Sequence, residues 1–503
     1  MILARHDALF PLAAVPAFTT LFRVGLRPVG RRRAARARPG QRLAAAFEEL
    51  GPSFIKLGQL LSTRADLLGE EITADLASLQ DRLPPFPGAE ARGLIEAEFG
   101  CALNTLFLVF DETAVAAASI AQVHFARTAG GREVAVKVLR PGIAAAFARD
   151  LDLFLWLAGL AEWLLPAARR LKPVEVVRTL AEVVRFEMDL RLEAAAAAEL
   201  AENFAGDASF RVPRVDWLRT GRTVLTTERI DGVRFDDHEA LLAAGHRIEE
   251  LLRKAAAAFF NQVFRDGFFH ADLHPGNMFV DPDGAIAVVD FGIMGRLDQD
   301  TRFYLADMLL GFLSGDYRRV AEVHFAAGYV PPGRSVDAFT QACRSIGEPI
   351  LGKPLQEISI ARLLAQLFEI TEQFEMETQP QLLLLQKTMV VIEGVGRRLN
   401  PEINIWALAR PLIEQWMVDN CGPEARVRLG LETVADLVER VPRLVRSLEA
   451  MVTAWSREGV MLHLETLALH AAHRGRHLGI VLVPVWITAA ALAGIALALL
   501  LGR

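Results

Sequence analysis

Cysteine is scarce in this 503-residue chain. The three present, Cys101, Cys343 and Cys421, lie far apart and form no CxxC pair, which argues for a reducing compartment and against a zinc site. No GxGxxG follows a strand and no paired metal-ligand helices occur, so neither a flavin dinucleotide fold nor an iron oxygenase is expected. No internal repeat is evident. The first 42 residues carry nine Arg against one acid, Asp7, but without aromatic interleaving, and nucleic acid is not expected as a partner.

Apolar residues, by contrast, are abundant. They make up 52% of the chain, with mean hydropathy +0.26, and the excess is concentrated at the C-terminus. From Leu478 to Gly502 there is no charged residue; at 1.5 Å per residue this run is long enough for a bilayer core of about 30 Å. It reads as one transmembrane helix rather than a buried core helix, and Arg474, Arg476 and His477 before it would keep the preceding domain cytoplasmic. Net charge is −6, yet Arg31, Arg32, Arg33, Arg36 and Arg38 could touch anionic headgroups, each contributing about 1 kcal/mol near the surface. A solvated basic arm and a transit peptide are the other readings of that segment.

The densest chemistry lies in Phe269-His270-Ala271-Asp272-Leu273-His274-Pro275-Gly276-Asn277, followed by Asp290-Phe291-Gly292. An Asp five residues before an Asn can aim a carboxylate at an acceptor hydroxyl while the carboxamide turns to a metal ion. Strands at 277–280 and 285–289, joined by the turn Asp281-Pro282-Asp283-Gly284, would return Asp290 beside Asn277. Asn277 and Asp290 are thus the candidate Mg²⁺ ligands, since a hard cation takes oxygen donors and keeps phosphate oxygens in its shell. Asp272 would orient or deprotonate the acceptor, or position water. His270 and His274 are expected to hold the loop. The combination implies ATP (or ADP) chemistry.

Elsewhere the pattern changes character. Residues 43–80 carry apolar positions at helical spacing, with a break at Gly51-Pro52-Ser53, and Pro84-Pro85-Phe86-Pro87 closes this block. Residues 122–127 and 133–139 alternate around Ala129-Gly130-Gly131, predicting a hairpin whose second strand carries Lys137. A helical stretch over 174–204 and a strand over 223–229 follow, with Gly232 as a hinge into a helical remainder. Lys137 would place its ammonium on the α/β-phosphates and needs a carboxylate to hold it, for which Glu193 is the candidate.

Three further features give a specific resemblance: Lys56-Leu57-Gly58-Gln59 (KxGQ), the Ala-rich loop Ala116-Ala117-Ala118-Ser119-Ile120-Ala121-Gln122-Val123-His124, and Glu187-Met188-Asp189 (ExD). With Glu393-Gly394 and Asn400-Pro401 downstream, the chain from about 43 to 406 resembles the UbiB (aarF/ADCK-like) family of atypical kinases. The resemblance implies an α+β, two-lobed protein-kinase-like fold with an N-terminal helical KxGQ extension, completed by the C-terminal transmembrane helix. The expected division is a basic arm at 1–42, the helical extension at 43–110, an N-lobe at 111–232, a helical C-lobe at 233–475 and the anchor at 476–503. It implies an ATP-dependent kinase or ATPase supporting ubiquinone biosynthesis at the bacterial inner membrane, catalytic domain facing the cytoplasm. Membrane lipids and quinone precursors, or the quinone biosynthetic complex, are the implied partners, and homo-oligomerisation is left open. A non-transferring nucleotide-binding scaffold and a conventional protein kinase are the alternatives. Against the latter, no APE-like segment follows Asp290 and no glycine-rich loop is present.

In the family the Ala-rich loop, here Val115 to Val123, stands where kinases have a glycine-rich loop, which implies altered nucleotide preference and suppressed self-phosphorylation. Alanine disfavours the positive-φ conformations by which glycine brings amides to phosphates. The KxGQ helix is implied to pack over the place of a protein substrate, with the ExD carboxylates nearby. Lys56 and Gln59, three apart, share a helix face. Glu187 and Asp189 do not, which predicts an irregular or terminal turn.

Overall fold

A computed structural model describes residues 2–6, 38–62, 69–76, 83–164, 173–349, 379–400 and 405–421, with positions 8, 79, 366, 369–371 and 373–376. The chain divides into two units, Met1–Val418 and Asp419–Arg503, and all contacts discussed below lie in the first.

The N-terminal block is helical: α1 (Pro39–Leu50), α2 (Pro52–Ser62), α3 (Glu70–Leu76) and α4 (Gly88–Phe99). Proline opens α1 and α2 at positions where its missing N–H costs nothing. The KxGQ glycine has a steric reason. A Cβ on Gly58 would fall 2.3 Å from Leu79 Cδ1 and 2.7 Å from Phe47 Cδ2, so any larger residue here would force those side chains to shift.

The first sheet has the strand order β1 (Phe107–Phe110), β3 (Ala121–Thr128), β4 (Glu133–Leu139), β6 (Val224–Glu228), with β2 (Ala116–Ala117) on β3. Along β4, Val134, Val136 and Val138 are fully buried against α4, and alternation puts Lys137 on the opposite face. That face is covered by α5 (Ile143–Leu164), α6 (Pro173–Glu187) and α7 (Leu190–Asn203). Phe54 of α2 packs edge-on against Phe154 of α5, centroids 4.9 Å apart, which ties the N-terminal block to this layer.

Downstream, α8 (Ile248–Phe260) runs beneath a sheet ordered β5 (Phe210–Arg211), β10 (Ile286–Val288), β9 (Met278–Val280), β7 (Val233–Arg234). A two-stranded pair, β8 (Phe268–His270) and β11 (Met294–Arg296), sits beside it. Gly232 is again a close approach, because an added Cβ would meet Val280 O at 2.6 Å. Helices α9 (Gln299–Ser314), α10 (Tyr317–Ala326), α11 (Val336–Gly347), α12 (Pro380–Leu399) and α13 (Ile405–Cys421) complete the described part. Leu385, Val395 and Leu399 of α12 are buried in the same core as Phe269, Ala271 and Leu273.

The fold is α+β and kinase-like, with one correction to the sequence expectation. Among the described residues no helix is long and apolar enough to cross a membrane. The physical reason is visible in the two longest. Helix α5 contains Arg149, Asp150, Asp152 and Glu162, and α12 contains Lys387, Glu393, Arg397 and Arg398, charges that are expensive in hydrocarbon. The run 478–502 that prompted the anchor lies outside the described residues. A transmembrane helix is therefore not part of the fold described here, and the integral inner-membrane anchor expected from the sequence is not supported.

Candidate active site

Three charged groups from distant parts of the chain meet at one point. Lys137 Nζ donates to Glu193 Oε1 and Oε2 at 2.7 and 2.9 Å and to Asp290 Oδ1 at 3.0 Å. Glu193 is on the first turn of α7, and its Oε1 also accepts from Phe291 N–H at 3.2 Å. Asp290 has φ +65°, an unusual conformation for a non-glycine residue, and its carboxylate meets Lys137.

Burial works against the charges of Lys137 and Glu193, 14% and 8% exposed, while the Asp290 side chain is 46% exposed, and in each case neighbours decide the outcome. For Lys137, burial disfavours the ammonium, but Asp290 and Glu193 outweigh it and hold its pKa above the ordinary value. Asp290 is held below the usual carboxylate range despite its own desolvation, chiefly by Lys137 and also by Lys56. Glu193 is pushed up to about 7, first by burial and then by repulsion from Asp290, with Lys137 opposing. The charged forms of Lys137 and Asp290 are thus favoured by each other, while burial opposes the charge on Glu193.

The catalytic-loop candidate is organised by local hydrogen bonds. Buried Gln262, in the π-helical turn after α8, accepts from His270 N–H at 2.9 Å. His270 Nδ1 accepts from Asp272 N–H at 3.1 Å, leaving Nε2 to donate to Val289 O at 3.4 Å. Burial lowers the pKa of this imidazole, in keeping with a neutral ring in that tautomer. Asn277 Nδ2 donates to Asp272 O at 3.2 Å, and Val289 N–H donates to Asn277 O at 2.9 Å. Asp272, Asn277 and Asp290 are thereby fixed on adjoining loops. Among the described residues no cluster of three or more His, Cys, Asp or Glu could form a cage for a metal. The oxygens of Asn277 and Asp290 suit a hard cation that retains phosphate and water ligands.

The KxGQ and ExD motifs meet through one acid only. Lys56 Nζ donates to Glu187 Oε1 at 3.0 Å, with side-chain exposures of 9% and 5%. Asp189 instead caps α7, accepting from Arg191 N–H at 3.2 Å, and pairs bidentately with the Arg191 guanidinium at 2.8 and 2.6 Å. Glu187 ends α6 and Asp189 precedes α7, so the motif spans a helix–helix junction. Gln59 lies half-buried on α2.

The Ala-rich loop is a tight hairpin. Val115 N–H donates to Val123 O and Ala118 N–H to Ala121 O, both at 2.8 Å. Ser119, Ile120 and Ala121 are buried, while Val115 and Ala116 are exposed. Gln122 faces away from Lys137, bonded to the Phe86 backbone at 2.8 and 3.1 Å and to His124 at 2.9 Å. Two residues here carry no signal in the motifs. Arg140 donates to Ala118 O at 2.9 Å and Pro84 O at 2.9 Å, clamping the hairpin to the proline-rich linker. Lys387 of α12 donates to Asp272 Oδ1 at 3.1 Å from 115 residues away.

Comparison with known proteins gives this arrangement a family. The model of the ABC1 atypical kinase-like domain matches residues 78–324, and that of the UbiB helical domain matches 343–404. A probable protein kinase UbiB of Marinobacter nauticus is 43% identical over 444 residues, covering 88% of this chain and 81% of that protein. Its counterpart in Aeromonas hydrophila is 46% identical over 410 residues, covering 80% and 75%. Among solved structures, the complex of Rv3197 with erythromycin from Mycobacterium tuberculosis is 27% identical. It covers 73% of this chain and 93% of that one, with a TM-score of 0.53. The chain belongs to the UbiB family of ABC1 atypical kinase-like proteins and is an atypical kinase.

Proposed function

We propose that this protein transfers or hydrolyses the terminal phosphoryl group of ATP with Mg²⁺, and that it does so in support of ubiquinone (isoprenoid quinone) biosynthesis. The observation that carries the first part is the convergence of Lys137, Glu193 and Asp290 beside the tethered Asp272 and Asn277. The second part rests on the relatives' name, UbiB, and on the family resemblance. Quinone precursors or their biosynthetic assembly are the proposed partners.

In this reading Lys137 serves the nucleotide phosphates, oriented by Glu193. Asp290, kept ionised by Lys137, and the Asn277 carboxamide hold Mg²⁺, which supplies charge neutralisation at the phosphate oxygens when bound. Asp272 aligns the acceptor hydroxyl or water and takes its proton. Lys56, which also favours the Asp290 anion, brings the KxGQ helix to the edge of the same charge cluster.

The test is calorimetric titration of the full chain with ATP, with and without Mg²⁺, against Asp290→Asn. Wild-type protein should bind in a Mg²⁺-dependent manner and the variant should lose that dependence. Undiminished, Mg²⁺-dependent binding by the variant would refute the site assignment.

A further inference from the structure

The Asp272 carboxylate occupies the position where a general base must be aimed, and its own loop does little to aim it. The hydrogen bonds inside the loop engage the Asp272 backbone: its N–H with His270 and its carbonyl with Asn277 and His274 N–H. His274 Nδ1 is taken by Gly276 N–H at 3.0 Å, and its Nε2 stands 3.8 Å from Asp272 Oδ2, beyond hydrogen-bond reach. Among the described residues, the group that hydrogen-bonds the carboxylate is Lys387, at 3.1 Å from Oδ1.

Lys387 is delivered by a rigid element. Leu385, Val395 and Leu399 bury one side of α12 in the core that contains Ala271 and Leu273, the neighbours of Asp272. Ile392 and Val395 line a small cavity together with Leu273 and Met278. Thr388, fully buried, returns its hydroxyl to Leu384 O at 2.9 Å. The ammonium therefore comes from the region matched by the UbiB helical domain, while the carboxylate belongs to the ABC1 domain. As a stabilising contact it is worth little, because the side chains are 44% and 30% exposed, and such pairs contribute about 0–1 kcal/mol.

We infer that Lys387 is a positioning residue for phosphoryl transfer, holding the Asp272 carboxylate at the angle from which it receives the acceptor proton. The UbiB helical segment thus completes the catalytic loop. This rests on the function proposed above. In that step the acceptor O–H gives its proton to Asp272 while its oxygen bonds the γ-phosphorus. The bond from that phosphorus to the bridging oxygen breaks, and ADP leaves with the electron pair. When the acceptor is water, the product is inorganic phosphate. A carboxylate free to rotate would lose orientation rather than nucleotide affinity, a fault that costs up to about 10²-fold in rate.

The experiment measures phosphate release and nucleotide binding by the full chain carrying Lys387→Met, Lys387→Arg, Asp272→Asn and the double change Lys387→Met/Asp272→Asn. The expected result for Lys387→Met is kcat lower by roughly 10- to 100-fold, with the KM for ATP and the nucleotide Kd within about twofold. Lys387→Arg should recover part of the loss, and Lys387→Met should add none in the Asp272→Asn background. Wild-type kcat in Lys387→Met, a rise in KM alone, or losses that multiply in the double variant would overturn the inference. If the wild-type chain converts no ATP to ADP under any condition, the proposed function fails and this inference with it. Normal wild-type turnover with an unaffected Lys387→Met removes this inference alone.

Discussion

Two lysines reach the site from helices outside the ABC1 sheets, and they do so in opposite settings. Lys56 of α2 meets Glu187 across 131 residues at 3.0 Å; Lys387 of α12 meets Asp272 across 115 residues at 3.1 Å. The distances differ by only 0.1 Å, but the first pair is 9% and 5% exposed and the second 44% and 30%. Solvent decides what each can do. In a desolvated pair neither charge can leave without stranding the other, so it acts as a structural lock between the KxGQ helix and the end of α6. The exposed pair is screened by solvent and salt, so it contributes orientation of the Asp272 carboxylate rather than stability. Similar ion-pair geometry thus serves fixation in one place and positioning in the other.

The most severe way to break this contrast is Lys56→Met. Loss of one partner from the buried pair should destabilise the protein by about 3–5 kcal/mol, and the double change Lys56→Met/Glu187→Leu should recover much of it. Denaturant unfolding of the three proteins measures this; a single variant as stable as wild type would remove the lock. The other acid of the ExD motif gives a smaller effect. Asp189→Ala removes the α7 cap and its Arg191 partner, costing about 1 kcal/mol, and should leave the Lys56–Glu187 pair intact. Lys387→Met should have the least effect on stability, within about 0.5 kcal/mol of wild type, despite its expected loss of kcat. Raising salt to about 1 M, where the screening length is about 3 Å, should narrow the difference in kcat between wild type and Lys387→Met. A gap unaffected by salt would mean that the pair is not solvent-screened.

The parts of this account that were legible in the sequence are the local ones. The spacing from His270 to Gly292 can be read because the turn Asp281–Gly284 returns the chain within a few residues, and the Lys137 hairpin is announced by alternation around Gly130-Gly131. The long helical stretch over 174–204 was legible only as one element. It breaks at Met188–Asp189, where no glycine or proline marks the junction and the break depends on the Asp189 cap. Gln122 falls within the Ala-rich loop in sequence, but its position on β3 turns it toward the Phe86 backbone, a consequence of register that composition does not carry. Lys387 was invisible for a different reason. It sits in an ordinary amphipathic helix, and only tertiary packing of Leu385, Val395 and Leu399 brings it to Asp272. The charge-free run 478–502 is a reading of composition alone, and it lies outside the described residues.

The most direct test of the central claim is phosphate release from Mg²⁺-ATP by the purified full chain, alone and with a phenolic quinone precursor, beside Asp290→Asn. The account predicts turnover by the wild type, raised by the precursor and abolished in the variant. Nucleotide binding without phosphate release under every condition would contradict it and leave a nucleotide-binding scaffold in its place.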